Sequence, residues 1–187
     1  MCRAVFPSSR CLFLYRDVVA VAKSVYRFTA VTPWRHVLSL LGRLSDRMIK
    51  TSWVGMDGII VCVRLDNDLS FGVLVYAKAT STYLDMRRRG FNVTGLRYED
   101  LVARPLDMCR VVMEFCGLPV SLAELGVKAF EVDSQRNSMF AKSRLGHIKD
   151  PQLTPQTKAQ LNELLNKYGV PLIGEPNVLE GTLSYSE

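Results

Sequence analysis

Apolar residues first gather in Leu12-Phe13-Leu14-Tyr15, where Arg16-Asp17 close the run and Val18 to Phe28 follow with weak helical periodicity. A short apolar run bounded by charge predicts a buried parallel strand, and the segment behind it predicts a weakly amphipathic helix. Trp34, Val37, Leu38, Leu41, Leu44 and Met48 then recur at helical spacing and predict a helix to about Lys50. Trp53 to Asp68 is ambiguous, because Ile59-Ile60-Val61-Cys62-Val63 favours a strand while Gly55 and Gly58 favour a loop. Leu69 to Arg89 carries the longest helical pattern, with Val73, Ala77, Thr80 and Leu84 on one stripe and Gly90 as its stop. Phe91 to Tyr98 predicts a second short strand.

The C-terminal part reads as helices joined by one long polar stretch. Pro105 suits the first turn of a helix that runs to Cys116, ended by Gly117 and Pro119. Ser121 and Glu124 have capping-box spacing and predict a helix to Phe130. Glu131 to Asp150 is polar and basic and too long for a simple connection. Thr154 and Pro155 open a last helix with Leu161, Leu164, Leu165 and Tyr168 on its apolar face, and Gly169 and Pro171 stop it. From Glu175 onward no periodicity remains, which predicts a fraying tail.

The corner after the first strand holds the candidate chemistry. Ligands of open α/β sheets sit at the carboxyl ends of strands, and helix N-termini there favour anions. Asp17 can cap the helix behind the strand. Ser24 follows seven residues later, close to two helical turns, so it falls on the same side as Arg16 and Asp17. A guanidinium and a hydroxyl converging on one point suit a phosphate. The same residues also fit an arginine bonded to a neighbouring loop and a serine bonded back to its own helix.

Composition changes this picture little. At 187 residues, 48% hydrophobic and 22% charged, the chain suits a single globular domain, divided here as 1–174 with an irregular tail at 175–187. No apolar run is long enough to cross a bilayer, and the N-terminus does not read as a signal peptide, so a cytoplasmic protein is expected. Cys2, Cys11, Cys62, Cys109 and Cys116 fit no zinc spacing and read as reduced core thiols. A net charge of +6 suits an anionic ligand. Arg87-Arg88-Arg89 stands at a predicted helix end, where cations complement the dipole, and reads as a solvated end rather than a nucleic-acid patch.

Three blocks then fall in order along the chain. Leu14-Tyr15-Arg16-Asp17 with Ser24 resembles the 3′-phosphate-binding segment of sulfotransferases that use 3′-phosphoadenosine-5′-phosphosulfate (PAPS). Leu96-Arg97-Tyr98-Glu99-Asp100-Leu101, with Arg104-Pro105 and Phe115-Cys116-Gly117-Leu118-Pro119, is similar to the family's YEDL block and the helix behind it. The polar loop from Asp133-Ser134-Gln135 occupies the place of the family's last cofactor-contacting loop. An Arg-Lys-Gly triplet is not found there, and Arg136, Ser138, Lys142 and Arg144 are the candidates to replace it.

The resemblance spans about Phe6 to Gly169 and carries definite expectations. It implies a three-layer α/β P-loop-like fold, helix-rich, with a small incomplete parallel sheet. It implies that Arg16 and Ser24 hold the 3′-phosphate of PAPS or 3′-phosphoadenosine 5′-phosphate and that Tyr98 lies against the nucleotide. Ser134, Arg136 and Arg144 complete the expected cofactor-binding set, with a small-molecule or carbohydrate acceptor as partner. Two family segments that would precede Leu12, the 5′-phosphosulfate loop with its lysine and the stretch with the general base, are not in this sequence. Gly72 to Lys78 is no substitute for that loop, because it lies inside a helical pattern with Ala77 and Ala79 at the required positions. His36 and His147 both fall after Arg16, on the wrong side to serve as the family's base. The chain alone is therefore expected to hold the nucleotide without transferring a sulfuryl group, and marginal stability is expected from an incomplete sheet. A non-catalytic nucleotide-binding or protein-interaction relative is the alternative reading.

Overall fold

The computed structural model describes residues 10–31, 68–131 and 145–185. Among them the fold is α/β and helix-rich, with a small two-stranded parallel sheet. The elements in chain order are β1 (Cys11–Tyr15), α1 (Val18–Val31), α2 (Ser70–Arg88), β2 (Val93–Arg97), α3 (Tyr98–Ala103), α4 (Pro105–Cys116), α5 (Ala123–Glu131) and α6 (Pro155–Lys167), with a 3-10 turn at Val120–Leu122. The helix predicted at Trp34 to Lys50 and the ambiguous stretch from Trp53 lie outside the described residues, as do Cys2, Cys62 and His36.

The chain divides into two compact units. The first comprises, among the described residues, β1 with Arg16, the end of α2 from Thr82, β2 through α5, and 177–185. Its sheet pairs β1 with β2 in parallel, in register from Cys11↔Val93 to Tyr15↔Arg97. Tyr15, Tyr83, Val93 and Leu179 form its buried centre, with Cys11, Phe13, Leu84 and Met86 packed against them. The Phe13 and Tyr83 rings stack at 4.7 Å. The strand was expected to be buried, yet Leu14 is 56% exposed while Tyr15 is buried and Cys11 to Phe13 are half-buried. Cys11, Phe13 and Tyr15, which share one face of the strand, are the β1 side chains that meet this core.

The expected fraying tail is instead a packed strap. Gly95 of β2 donates its N–H to the Gly181 carbonyl at 3.0 Å and accepts from Leu183 at 2.8 Å. The Tyr83 hydroxyl, whose pKa burial raises, donates a hydrogen bond to the Glu180 carbonyl at 2.6 Å. Arg87 also departs from the solvated helix end expected of it. It donates to the Val93 carbonyl at 2.8 Å and faces Glu180 at 3.7 Å.

Farther along the first unit, local signals decide the helix ends. Gly117 takes a left-handed conformation (φ 72°), and Leu118 N–H closes back on the Met113 carbonyl at 2.8 Å. Arg10 donates to the carbonyls of Glu114 and Phe115, filling the acceptors that α4 leaves open. Ser121 falls inside the 3-10 turn that feeds α5, so this helix begins through a tightened turn rather than the expected box. Cys109 is buried, which raises its thiol pKa, whereas Cys116 is exposed and is not the core thiol expected.

The second unit holds, among the described residues, α1, the start of α2, and 145–176 with α6. Asp17 caps α1 as predicted, accepting from Ala20 N–H at 2.9 Å. The α2 stripe is real: Val73, Ala77 and Thr80 are all fully buried. Gly72 lets α2 approach α1 closely, since a Cβ there would stand 2.5 Å from Ala22 Cα. Thr154 caps α6 by accepting from Thr157 N–H at 3.2 Å, and Leu161, Leu164 and Leu165 are buried behind it.

Candidate functional site

The parallel register carries β1 and β2 out side by side, ending at Tyr15↔Arg97. The next residue on each strand is Arg16 and Tyr98, so both emerge at neighbouring carboxyl ends. Their side chains meet there, with the Arg16 guanidinium carbon 4.7 Å from the Tyr98 ring centre. Such a cation over an aromatic face orients the guanidinium plane while leaving its N–H edges in the plane.

The charges around this corner are unequal. Arg16 has 48% of its side chain exposed, and its nearest carboxylate oxygen among the described residues, Glu99 Oε1, is 4.0 Å from Nε. Glu99 is shared, because its Oε2 lies 3.6 Å from Arg97 Nε. Arg97 also donates to Asp100 at 3.3 Å. One carboxylate thus stands between two guanidiniums, and Arg97 is the more engaged. Arg16 is left as a cation held by stacking more than by ion pairing.

Beyond the corner, a shallow cleft of about 230 Å³ is lined by Asp100, Ala103, Arg104, Met108, Ser184 and Tyr185. Arg104 lies over the Tyr185 ring at 5.4 Å. This cleft belongs to the first unit but includes neither Arg16 nor Tyr98.

The other sequence-predicted residues fare differently. Ser24 stands exposed on α1, in the second unit. The N-terminus of α1 holds the Asp17 carboxylate, the cap the sequence predicts. Ser134, Arg136, Ser138, Lys142 and Arg144 lie outside the described residues. His147, within the described stretch 145–150 of that loop, is exposed.

Within the second unit, Asp150 takes a hydrogen bond from Arg27 Nε at 2.7 Å and faces Lys23 at 3.6 Å. The Arg27 bond holds the Asp150 carboxyl below its ordinary range, helped by the charge of Lys23. Sequence reading passed over Glu99, Asn177 and Asp150. Glu99 could have been found as the neighbour of Tyr98 in one block, but Asp150 and Asn177 carry no local signal for the partners they take.

Among the described residues, no group of histidine, cysteine and carboxylate side chains could hold a metal ion, and no helix is long and apolar enough to cross a membrane. Comparison with protein-family models, curated proteins and solved structures returned no match for this chain.

Proposed function

We propose that this chain is a sulfotransferase-family protein whose Arg16–Tyr98 corner binds the 3′-phosphoadenosine end of PAPS. In this reading Arg16 gives its N–H edge to the 3′-phosphate and Tyr98 lies against the nucleotide. The complete enzyme reaction is transfer of a sulfuryl group from PAPS to a hydroxyl or amine acceptor, on a three-layer P-loop-like fold. No residue of this chain is assigned a catalytic role in that transfer.

One observation carries the reading. Two sequence blocks, one carrying Arg16 and one carrying Tyr98 82 positions later, meet at the ends of adjacent parallel strands with those two side chains in contact. A phosphate reading of Arg16 requires a guanidinium that is oriented yet not consumed by a carboxylate, and stacking on Tyr98 at the edge of Glu99 meets that requirement. The fit extends only to the 3′-phosphate end. Ser24, Ser134, Arg136 and Arg144 enter the proposal on sequence resemblance alone.

Calorimetry with 3′-phosphoadenosine 5′-phosphate tests it. The wild-type chain is expected to bind, and Arg16→Ala is expected to weaken binding roughly 10- to 100-fold, the range of a lost hydrogen bond to a charged group. Arg27→Ala serves as the control, since that guanidinium is engaged by Asp150, and it should change affinity by less than about twofold. Equal losses in the two variants would point to general electrostatics and would remove Arg16 from the role.

A further inference from the structure

We propose that Asn177 is a positioning residue for the Arg16–Tyr98 corner, an inference that rests on the nucleotide reading above. Its amide nitrogen donates to the Arg16 backbone carbonyl at 3.2 Å, across 161 positions of sequence. That carbonyl lies between two hydrogen-bonded systems and belongs to neither. The sheet register stops at Tyr15↔Arg97, and the first carbonyl to enter the α1 ladder is that of Asp17, which accepts from Val21. Arg16 is thus the junction residue where rotation of the backbone would swing the guanidinium away from Tyr98.

The strap fixes the residue before it as well. The Tyr15 hydroxyl accepts from Leu179 N–H at 3.1 Å and is 2.7 Å from the Thr182 hydroxyl. Thr182 in turn donates to the Leu179 carbonyl at 2.6 Å. Tyr15 and Arg16 are therefore both tied to one segment, 177–182, and the direction of the Arg16 side chain is set by that segment. Holding an arginine ready lowers the conformational cost of closing it on a ligand.

The strap does not depend on Asn177 for its own attachment. Gly181 and Leu183 bond Gly95, the Glu180 carbonyl accepts a hydrogen bond from the Tyr83 hydroxyl, and Leu179 is buried, all independently of that amide. Loss of the Asn177 side chain should therefore disturb Arg16 while leaving the strap in place. Its effect should fall on recognition of the 3′-phosphate and not on the nucleotide as a whole.

The experiment is calorimetric titration of the full chain with 3′-phosphoadenosine 5′-phosphate and with adenosine 5′-phosphate, beside a thermal melt of each variant. Asn177→Ala and Asn177→Leu should bind the 3′-phosphorylated nucleotide roughly three- to tenfold more weakly, with adenosine 5′-phosphate changed by less than about twofold. Asn177→Gln keeps the amide donor and should recover part of the loss. If wild type fails to bind the 3′-phosphorylated nucleotide, the nucleotide reading falls and this inference falls with it. If Arg16→Ala loses binding while both Asn177 variants keep full affinity, the positioning role alone is overturned. Parallel weakening of both nucleotides, or a loss that tracks a lowered melting temperature, would likewise overturn it in favour of a merely structural contact.

Discussion

Arg16 in the first unit and Arg27 in the second are each beside a carboxylate, and the structure treats them in opposite ways. Arg27 is gripped by Asp150 at 2.7 Å, with Lys23 completing the cluster. Arg16 rests on the Tyr98 ring, and the Glu99 carboxylate oxygen beside it is 4.0 Å off. The first arginine to be used up by the fold is Arg27. An exposed arginine oriented by an aromatic ring is the better ligand group, because binding need not break a strong internal ion pair first.

The two units differ in the same sense. The second is held by close apolar helix contacts, with Ala22 against Gly72 and a fully buried stripe of Val73, Ala77 and Thr80. The first is held by polar contacts between segments far apart in sequence, such as Tyr15 with Thr182 and Tyr83 with Glu180. The largest effect is therefore expected where helices touch backbone to backbone. Gly72→Ala places a methyl 2.5 Å from Ala22 Cα and 2.9 Å from its carbonyl oxygen, and neither is a flexible side-chain end that could swing aside. A cost of about 2–3 kcal/mol is expected in urea unfolding, the upper part of the overpacking range. A loss below about 0.5 kcal/mol would show that α1 and α2 do not pack this closely.

The first unit should break more gently. Tyr15→Phe removes a hydroxyl that Leu179 N–H and Thr182 both use, at a cost of about 1–2 kcal/mol. Thr182→Val removes the other side of the same contact. In a double-mutant cycle the two should be markedly non-additive, since each abolishes the bond the other would lose. Additive losses would mean that the Tyr15 and Thr182 hydroxyls contribute separately and not through a bond to each other.

Legibility of the sequence followed the range over which each interaction acts. The strand ending at Tyr15, the Asp17 cap, the α2 stripe, Pro105 opening α4 and Thr154 opening α6 were all readable, because each depends on residues within a turn or two. The contact of Arg16 with Tyr98 was only half readable: the two short strands were expected, but their parallel pairing, which aligns the strand ends, carries no local signal. The strap was not readable. Its residues show no periodicity, and what holds them is a set of hydroxyl and backbone partners 86 to 167 positions away. Arg87 was misjudged for the same reason: its neighbours in sequence are Arg88 and Arg89, while its partners are Val93 and Glu180.

The smallest effect concerns the gripped arginine and sharpens the contrast by pH. Arg27, and behind it Lys23, hold the Asp150 carboxyl below the ordinary aspartate value of about 4. A carboxyl whose folded pKa is depressed contributes its stability above the unfolded value, and loses it as the pH falls through the folded one. Asp150 should therefore support the second unit fully at neutral pH and cease to do so only in acid, below about pH 4. Asp150→Asn should cost about 1 kcal/mol or less at pH 7, because the cluster is partly exposed and screened by salt. Against wild type, the stability difference should shrink towards zero as urea unfolding is repeated at progressively lower pH. A difference that persists unchanged into acid would mean that Asp150 acts through packing and not through charge. In that case Arg27 would not be neutralised by it, and the distinction between the two arginines would fail at the Arg27 end.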